Sequence, residues 1–262
     1  MLMKAPRFAM KGRPPRRLDN RSREERYLYG LHPVSAWLEQ RPSHVEVLMY
    51  DPAVQRAAEL ARRVTRLGKR AEPQSRSKLD EFVGGARHQG MVAICEPFPY
   101  VPFEQILAAA PARLLVADQL QDPQNLGAII RTAEASGVGA VILQKDRCVG
   151  VGAAAEVAAA GAAARMPISR VTNTVRMLEI AKSRGYWVVG LATKGGTCIF
   201  KFDPPEKLVV VLGGEAGMRS LVQRQCDFVA TIPMRGNGES LNASVAAGVA
   251  LFEICRHDLT KP

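Results

Sequence analysis

Leu208-Val209-Val210-Val211-Leu212-Gly213-Gly214-Glu215-Ala216-Gly217-Met218 is an apolar run that stops on paired glycines. Five consecutive apolar residues suit a strand covered on both faces, as in a parallel sheet. The glycines at its C-terminal end let backbone amides approach a ligand closely. The pattern extends outward: residues 114–117, 140–143, 187–191 and 228–232 read as further apolar strands. Helix patterns lie at 125–136, 153–164, 172–184, 217–225 and 242–257. Strands alternating with helices predict an α/β domain built on a parallel sheet. Upstream, a helix signal at 33–40, a strand at 45–50, a helix at 53–67 and a short strand at 90–95 form a second, smaller alternating unit. Pro97, Pro99 and Pro102 mark the boundary, followed by a short apolar helix at 103–110 and Pro111. The expected organisation is a basic arm over 1–26, a small domain over 27–97, a linker over 98–112 and a second domain over 113–262.

Composition narrows the function classes. The 262 residues are 47% hydrophobic and 23% charged, which excludes collagen-like, coiled-coil and wholly disordered chains. The Ala-rich stretch 153–164 carries Glu156 in its middle, so no membrane span is expected. The net charge of +11 favours polyanionic partners. Residues 1–26 hold nine Lys and Arg against three acids, with Pro6, Gly12, Pro14 and Pro15 between them. Such a segment buries too little apolar surface to fold and suits contact with nucleic-acid phosphates, or a solubilising tail. No apolar core follows Lys4, so no secretory signal is expected. Five scattered cysteines without a C-x-x-C pair, and four histidines away from them, point to a reducing compartment, the cytoplasm, and to no metal site.

Two common signatures fail on inspection. Gly150-Val151-Gly152 lacks the third glycine of a dinucleotide loop. Gly238-Glu239-Ser240-Leu241-Asn242 ends in Asn where a nucleophile elbow needs glycine. Three loops at the C-terminal ends of strands carry more, because ligands of parallel sheets bind there. The first is Asp122-Pro123-Gln124-Asn125-Leu126-Gly127, leading into Ala128-Ile129-Ile130-Arg131. Leu126, Ile129, Ile130 and Ala133 form one apolar stripe, with Arg131 pointing away beside a groove left by Gly127. Asn125, at the expected helix start, can cap the helix or hold a ligand. The second loop is 213–218, where Glu215 is either a helix N-terminal carboxylate or a ligand contact. The third, Ile232-Pro233-Met234-Arg235-Gly236-Asn237-Gly238-Glu239-Ser240-Leu241-Asn242, opens a last helix rich in small residues.

Together, Asn125-Leu126-Gly127…Arg131, 213–218 and Ile232-Pro233-Met234…Ser240-Leu241-Asn242-Ala243-Ser244-Val245-Ala246 resemble the three motifs of the SpoU (TrmH-type) RNA 2′-O-ribose methyltransferases. The likeness spans about 113–256. Residues 27–96, with Tyr29-Gly30 and His88-Gln89-Gly90, resemble the small L30e-like RNA-binding domain of the large-subunit rRNA guanosine subgroup, which Lys145-Asp146-Arg147 and Ala160-Gly161-Ala162 also fit.

The resemblance implies an α/β SPOUT fold with a C-terminal trefoil knot, a homodimer, and 23S rRNA as the RNA partner. It implies S-adenosylmethionine as cofactor, held by backbone at Gly213, Ile232 and Leu241 with Met234 nearby. Its implied catalytic residues are Arg131, Asn125, Glu215, Ser240 and Asn242. The family assigns Arg131 as general base. Deprotonating a guanidinium at neutral pH spans at least ~5 pH units, or roughly 7 kcal/mol. Arg131 is therefore expected to clamp a neighbouring phosphate and stabilise the developing alkoxide. The second motif departs from the family pattern: it is one residue shorter, with Ala216 where glycine is usual. The alternative reading is a catalytically weakened SPOUT-fold protein for RNA binding or ribosome assembly.

Overall fold

The computed structural model describes residues 26–260. Of the basic arm expected over 1–26, only Arg26 lies among them, and it belongs to the first strand, β1 (Arg26–Tyr29). There follow α1 (Leu31–Gln40), β2 (Val45–Tyr50), α2 (Gln55–Arg66), β3 (Arg70–Pro73), α3 (Arg76–Val83) and β4 (Met91–Cys95). The sheet order is β1-β4-β2-β3, antiparallel except for the parallel pair β2 and β3. Alternation along β4 divides its side chains. Met91, Ala93 and Cys95 enter the core under α1 and α2, while Val92 packs with Leu79 of α3 on the other face. The sequence reading lacks β1, β3 and α3. Both are four-residue edge strands: β3 carries Arg70, Glu72 and Pro73, so pairing and not propensity makes it a strand, whereas β1, Arg26-Tyr27-Leu28-Tyr29, suits a strand but is too short to stand out.

The second unit runs α4 (Phe103–Ala109), β5 (Arg113–Asp118), α5 (Pro123–Ala135), β6 (Ala140–Gln144), α6 (Ala153–Ala159), α7 (Ala162–Arg165), β7 (Ile168–Val171), α8 (Thr174–Ser183), β8 (Trp187–Ala192), β9 (Thr197–Cys198), β10 (Leu208–Gly213), α9 (Ser220–Gln223), β11 (Phe228–Thr231) and α10 (Ala243–Thr260). Its seven strands lie in the order β7-β6-β5-β10-β8-β11-β9, and every pairing is parallel. Leu115, Ala117, Val210 and Leu212 face one core with α5, α6 and α10. Leu114, Val116, Val209 and Val211 face another with α4 and α8. Burial on both faces explains why these strands read as unbroken apolar runs.

Three expectations change. The helix expected over 153–164 divides into α6 and α7, because Ala160 (φ 49) and Gly161 (φ 94) are left-handed. A Cβ on Gly161 would stand 2.8 Å from Ala36 Cβ, so the break brings α7 against α1. The helix expected over 217–225 shortens to α9, since the glycine loop before it closes as a turn. The segment 98–112, read as a linker, packs on the sheet through part of its length, while Glu104, Gln105 and residues 108–110 are exposed. The Val151 N–H donates to the Tyr100 hydroxyl at 2.9 Å, and Phe103, Ile106 and Leu107 of α4 are buried.

Glu156 joins the two units. Its carboxylate, 1% exposed, accepts from Arg26 Nη1 and from Trp37 Nε1, each at 2.6 Å. The Arg26 guanidinium also lies 4.1 Å from the Trp37 ring centroid and 5.3 Å from that of Phe98. Burial pushes the Glu156 carboxyl up to about 7, against the opposing pull of Arg26 and the Trp37 donor.

Candidate active site

A cavity of ≈ 560 Å³ opens at the C-terminal ends of β8, β10 and β11, within the size range of small-molecule sites. Three of the stretches that build it were singled out in the sequence and lie far apart there. From α5 comes Asn125; from the loop after β10 come Gly213, Gly214, Glu215, Gly217 and Met218; from the loop before α10 come Ile232, Met234, Ser240, Leu241 and Asn242. Leu212, Ala230 and Ala246 complete an apolar floor. The structure thus brings together Asn125, Glu215, Ser240, Asn242, Gly213, Ile232, Met234 and Leu241 of the residues singled out in the sequence.

Arg131 is not among the lining residues. It lies on α5 six residues beyond Asn125, about 9 Å along the axis at 1.5 Å per residue. Its side chain is exposed, and among the described residues it has no hydrogen-bond or ion-pair partner. Nor does Gly127 leave it a groove. A Cβ there would meet the Ala155 carbonyl at 2.2 Å and Ala158 Cβ at 2.5 Å, so this glycine permits the close contact of α5 with α6.

Asn125 is not the cap of α5. Asp122 fills that place, accepting from the backbone N–H groups of Gln124 at 2.9 Å and Asn125 at 3.3 Å. The Asn125 side chain is thereby left to accept from Asn242 Nδ2 at 3.0 Å, tying the first stretch to the third. Asn242 Oδ1 in turn accepts from the Ser244 backbone at 2.8 Å and its hydroxyl at 2.6 Å, ordering the start of α10.

The shortened glycine loop folds back on itself. Gly214 donates to the Asp118 carbonyl and Gly217 to the Gly214 carbonyl, both at 2.9 Å. A Cβ on Gly213 would stand 2.3 Å from Gly217 C and Met218 N, and one on Gly214 would stand 2.3 Å from the Gln119 carbonyl. Both residues must therefore be glycine for the turn to close. Glu215 sits exposed at its tip, five residues before α9, so it is no helix N-terminal carboxylate; it faces the cavity instead.

The sequence reading missed Leu191, Ala192, Thr193 and Lys194, a fourth wall of the cavity. They lie at and beyond the C-terminal end of β8. The strand-end rule that selected the other loops points there too.

Comparison with known proteins places this geometry in a family. Residues 112–252 match the SpoU rRNA Methylase family, and residues 27–101 match the family described as RNA 2′-O ribose methyltransferase substrate binding. A 23S rRNA (guanosine-2′-O-)-methyltransferase RlmB from Coxiella burnetii is 40% identical over 237 residues, covering 87% of this chain and 94% of the relative. Its Pseudomonas aeruginosa counterpart is 42% identical over 243 residues, with 87% and 95% covered. Among solved structures, the SpoU methyltransferase AviRb from Streptomyces viridochromogenes, in complex with its cofactor AdoMet, superposes with a TM-score of 0.77 at 26% identity, over 91% of this chain and 92% of that one. With two domain matches in chain order and near-full-length relatives of that identity, the chain belongs to the SpoU rRNA Methylase family.

Proposed function

We propose that this protein transfers a methyl group from S-adenosylmethionine to the ribose 2′-hydroxyl of a guanosine in 23S rRNA. One observation carries the reading: three separated motifs converge on one cavity and are joined there by the Asn125–Asn242 hydrogen bond. The cavity suits the cofactor. Gly213 and Gly214 let the turn that borders it close, and Leu212, Ala230 and Ile232 offer an apolar bed for an aromatic base. Backbone at Gly213, Ile232 and Leu241 would hold it, with Met234 alongside. When bound, S-adenosylmethionine supplies an electrophilic methyl group.

The chain's own side chains hold the acceptor. Asn125, Ser240, Asn242 and Glu215 orient the ribose at the cavity mouth. Alignment of reacting groups supplies several kcal/mol of such a barrier. Arg131, exposed and without a partner among the described residues, is free to clamp an RNA phosphate as a permanently charged fork.

The homodimer, the knot and the L30e-like character of the small domain belong to the same proposal. Val245, Phe252 and Leu259 leave an apolar face of α10 exposed, which supports pairing with a second copy. The order β5-β10-β8, with α10 returning onto α5, supports a threaded C-terminal segment. Among the described residues no helix is long and apolar enough to cross a membrane. The five cysteines are free thiols, which supports the reducing cytoplasm as the place of action.

Two measurements test the function. Ribose-methylation mapping of 23S rRNA with and without the gene is expected to differ at a single guanosine. Calorimetry is expected to register S-adenosylmethionine binding to the purified chain. An unchanged map without binding heat would leave the scaffold alternative. Arg131→Lys is expected to lower turnover about 100-fold, since a point charge cannot replace a bidentate fork. Near-normal turnover would exclude both the base and the clamp.

A further inference from the structure

Asp118, the last residue of β5, has 0% exposure. A carboxylate so placed needs strong partners. Its partner is Arg219, which follows the glycine loop and reaches back across it. The Arg219 backbone N–H donates to Asp118 Oδ2 at 3.2 Å, and its Nε to Oδ1 at 3.0 Å and Oδ2 at 3.1 Å. Its Nη2 also reaches the hydroxyl of Thr174, the buried first residue of α8, at 3.1 Å. On the other side of the loop, the Asp118 carbonyl accepts from Gly214 at 2.9 Å. A single residue therefore grips both ends of the turn: its backbone takes the entry and its side chain takes the exit.

Neither Asp118 nor Arg219 lines the cavity, whereas Gly213, Gly214, Glu215, Gly217 and Met218 between the two grips do. Met218, next to Arg219, is set against Gly190 and Cys226, with Sδ 3.8 Å from Cys226 Sγ. We infer that Asp118 and Arg219 are positioning residues, which hold the shortened glycine loop in its ligand-ready form before the methyl donor arrives. This rests on the proposed function for the identity of the ligand. The physical reason is preorganisation: a turn ordered in advance loses less freedom on binding. The Asp118 contacts fix both ends of the turn.

The test uses the full chain with Arg219→Ala, Arg219→Lys, Asp118→Asn and the double variant Asp118→Asn/Arg219→Ala. Two quantities are read: amide hydrogen exchange at Gly214, Gly217 and Met218, and S-adenosylmethionine affinity by calorimetry. Arg219→Ala is expected to speed that exchange and weaken donor binding, each about tenfold or more, while kcat at saturating donor stays within about threefold. Arg219→Lys is expected to recover part of both. The double variant is expected to be no worse than the poorer single one, because the two side chains act as a pair. A folded Arg219→Ala variant with loop exchange and donor affinity within twofold of the wild type would overturn the inference. Should Asp118→Asn fail to fold, the Arg219 variants decide alone, since that side chain is 32% exposed and can turn to water. Faster loop exchange in Arg219→Ala, beside a wild-type chain that binds no donor, would uphold the clamp and overturn the proposed function.

Discussion

Truncating Glu156 to Ala is expected to lower the free energy of unfolding by about 3–5 kcal/mol, the cost of leaving one member of a buried ion pair alone. Arg26 is the member left behind. Its side chain is 8% exposed, and among the described residues its Nε and Nη2 have no hydrogen-bond partner. Trp37 Nε1 loses its acceptor as well. Because these groups come from β1, α1 and α6, the loss falls on the join between the small domain and the larger one. Urea unfolding of the full chain measures it; a change under about 1 kcal/mol would mean that the pair contributes only what an exposed one does.

The same group gives the protein a pH dependence with a definite sign. Burial raises the folded Glu156 carboxyl from 4.5 to about 7, so the folded state binds a proton more tightly than the unfolded chain. Its contribution to stability is fully present below pH 4.5 and is lost as the pH rises through about 7. Subtracting the profile of Glu156→Gln from that of the wild type between pH 4.5 and 8 isolates this contribution. A flat difference would show that Arg26 keeps the carboxylate ionised throughout.

Gly213→Ala is expected to weaken S-adenosylmethionine binding by at least about 100-fold with the fold retained, because the added methyl removes the turn and little else. The new Cβ would sit 2.3 Å from backbone atoms of Gly217 and Met218, and backbone cannot swing aside as a side-chain tip does. Gly213 itself cannot yield, since it pairs in register with Asp118 at the end of the β5–β10 ladder. The turn must therefore open into the cavity that it borders. Gly152→Ala, away from the cavity at the start of α6, is the control: nothing lies within 4 Å of a Cβ built there, and donor affinity should match the wild type. Equal affinities for the two variants would show that the glycine loop has no part in holding the donor.

Much of this molecule was legible before any coordinates. The strands β5, β6, β8 and β10 announce themselves as apolar runs because a parallel sheet hides both faces of most of their residues, and β11 reads as apolar although Phe228 at its start is exposed. The glycine loop and the stretch before α10 stand out because they place glycine, Asn and Ser at strand ends, where ligands of such sheets bind. Alanine spacing over 153–164 was misleading, since the helix ends at a left-handed Ala160–Gly161 step set by contact with α1. Asn125 reads either as a cap or as a ligand contact, and Asp122 takes the cap, which leaves Asn125 to face the cavity.

By itself, the order of residues determined the parallel sheet and the three loops that supply much of the cavity, because burial and chain reversal are local demands that each segment states on its own. Which side chains pair across distance was decided only by tertiary structure: Arg26 with Glu156, Asp118 with Arg219, Asn125 with Asn242, and Gly127 against Ala155. Each of these joins residues between 28 and 130 positions apart or more closely packed than any local pattern encodes, and a charged or small residue carries no mark of its partner until the sheet brings the two together.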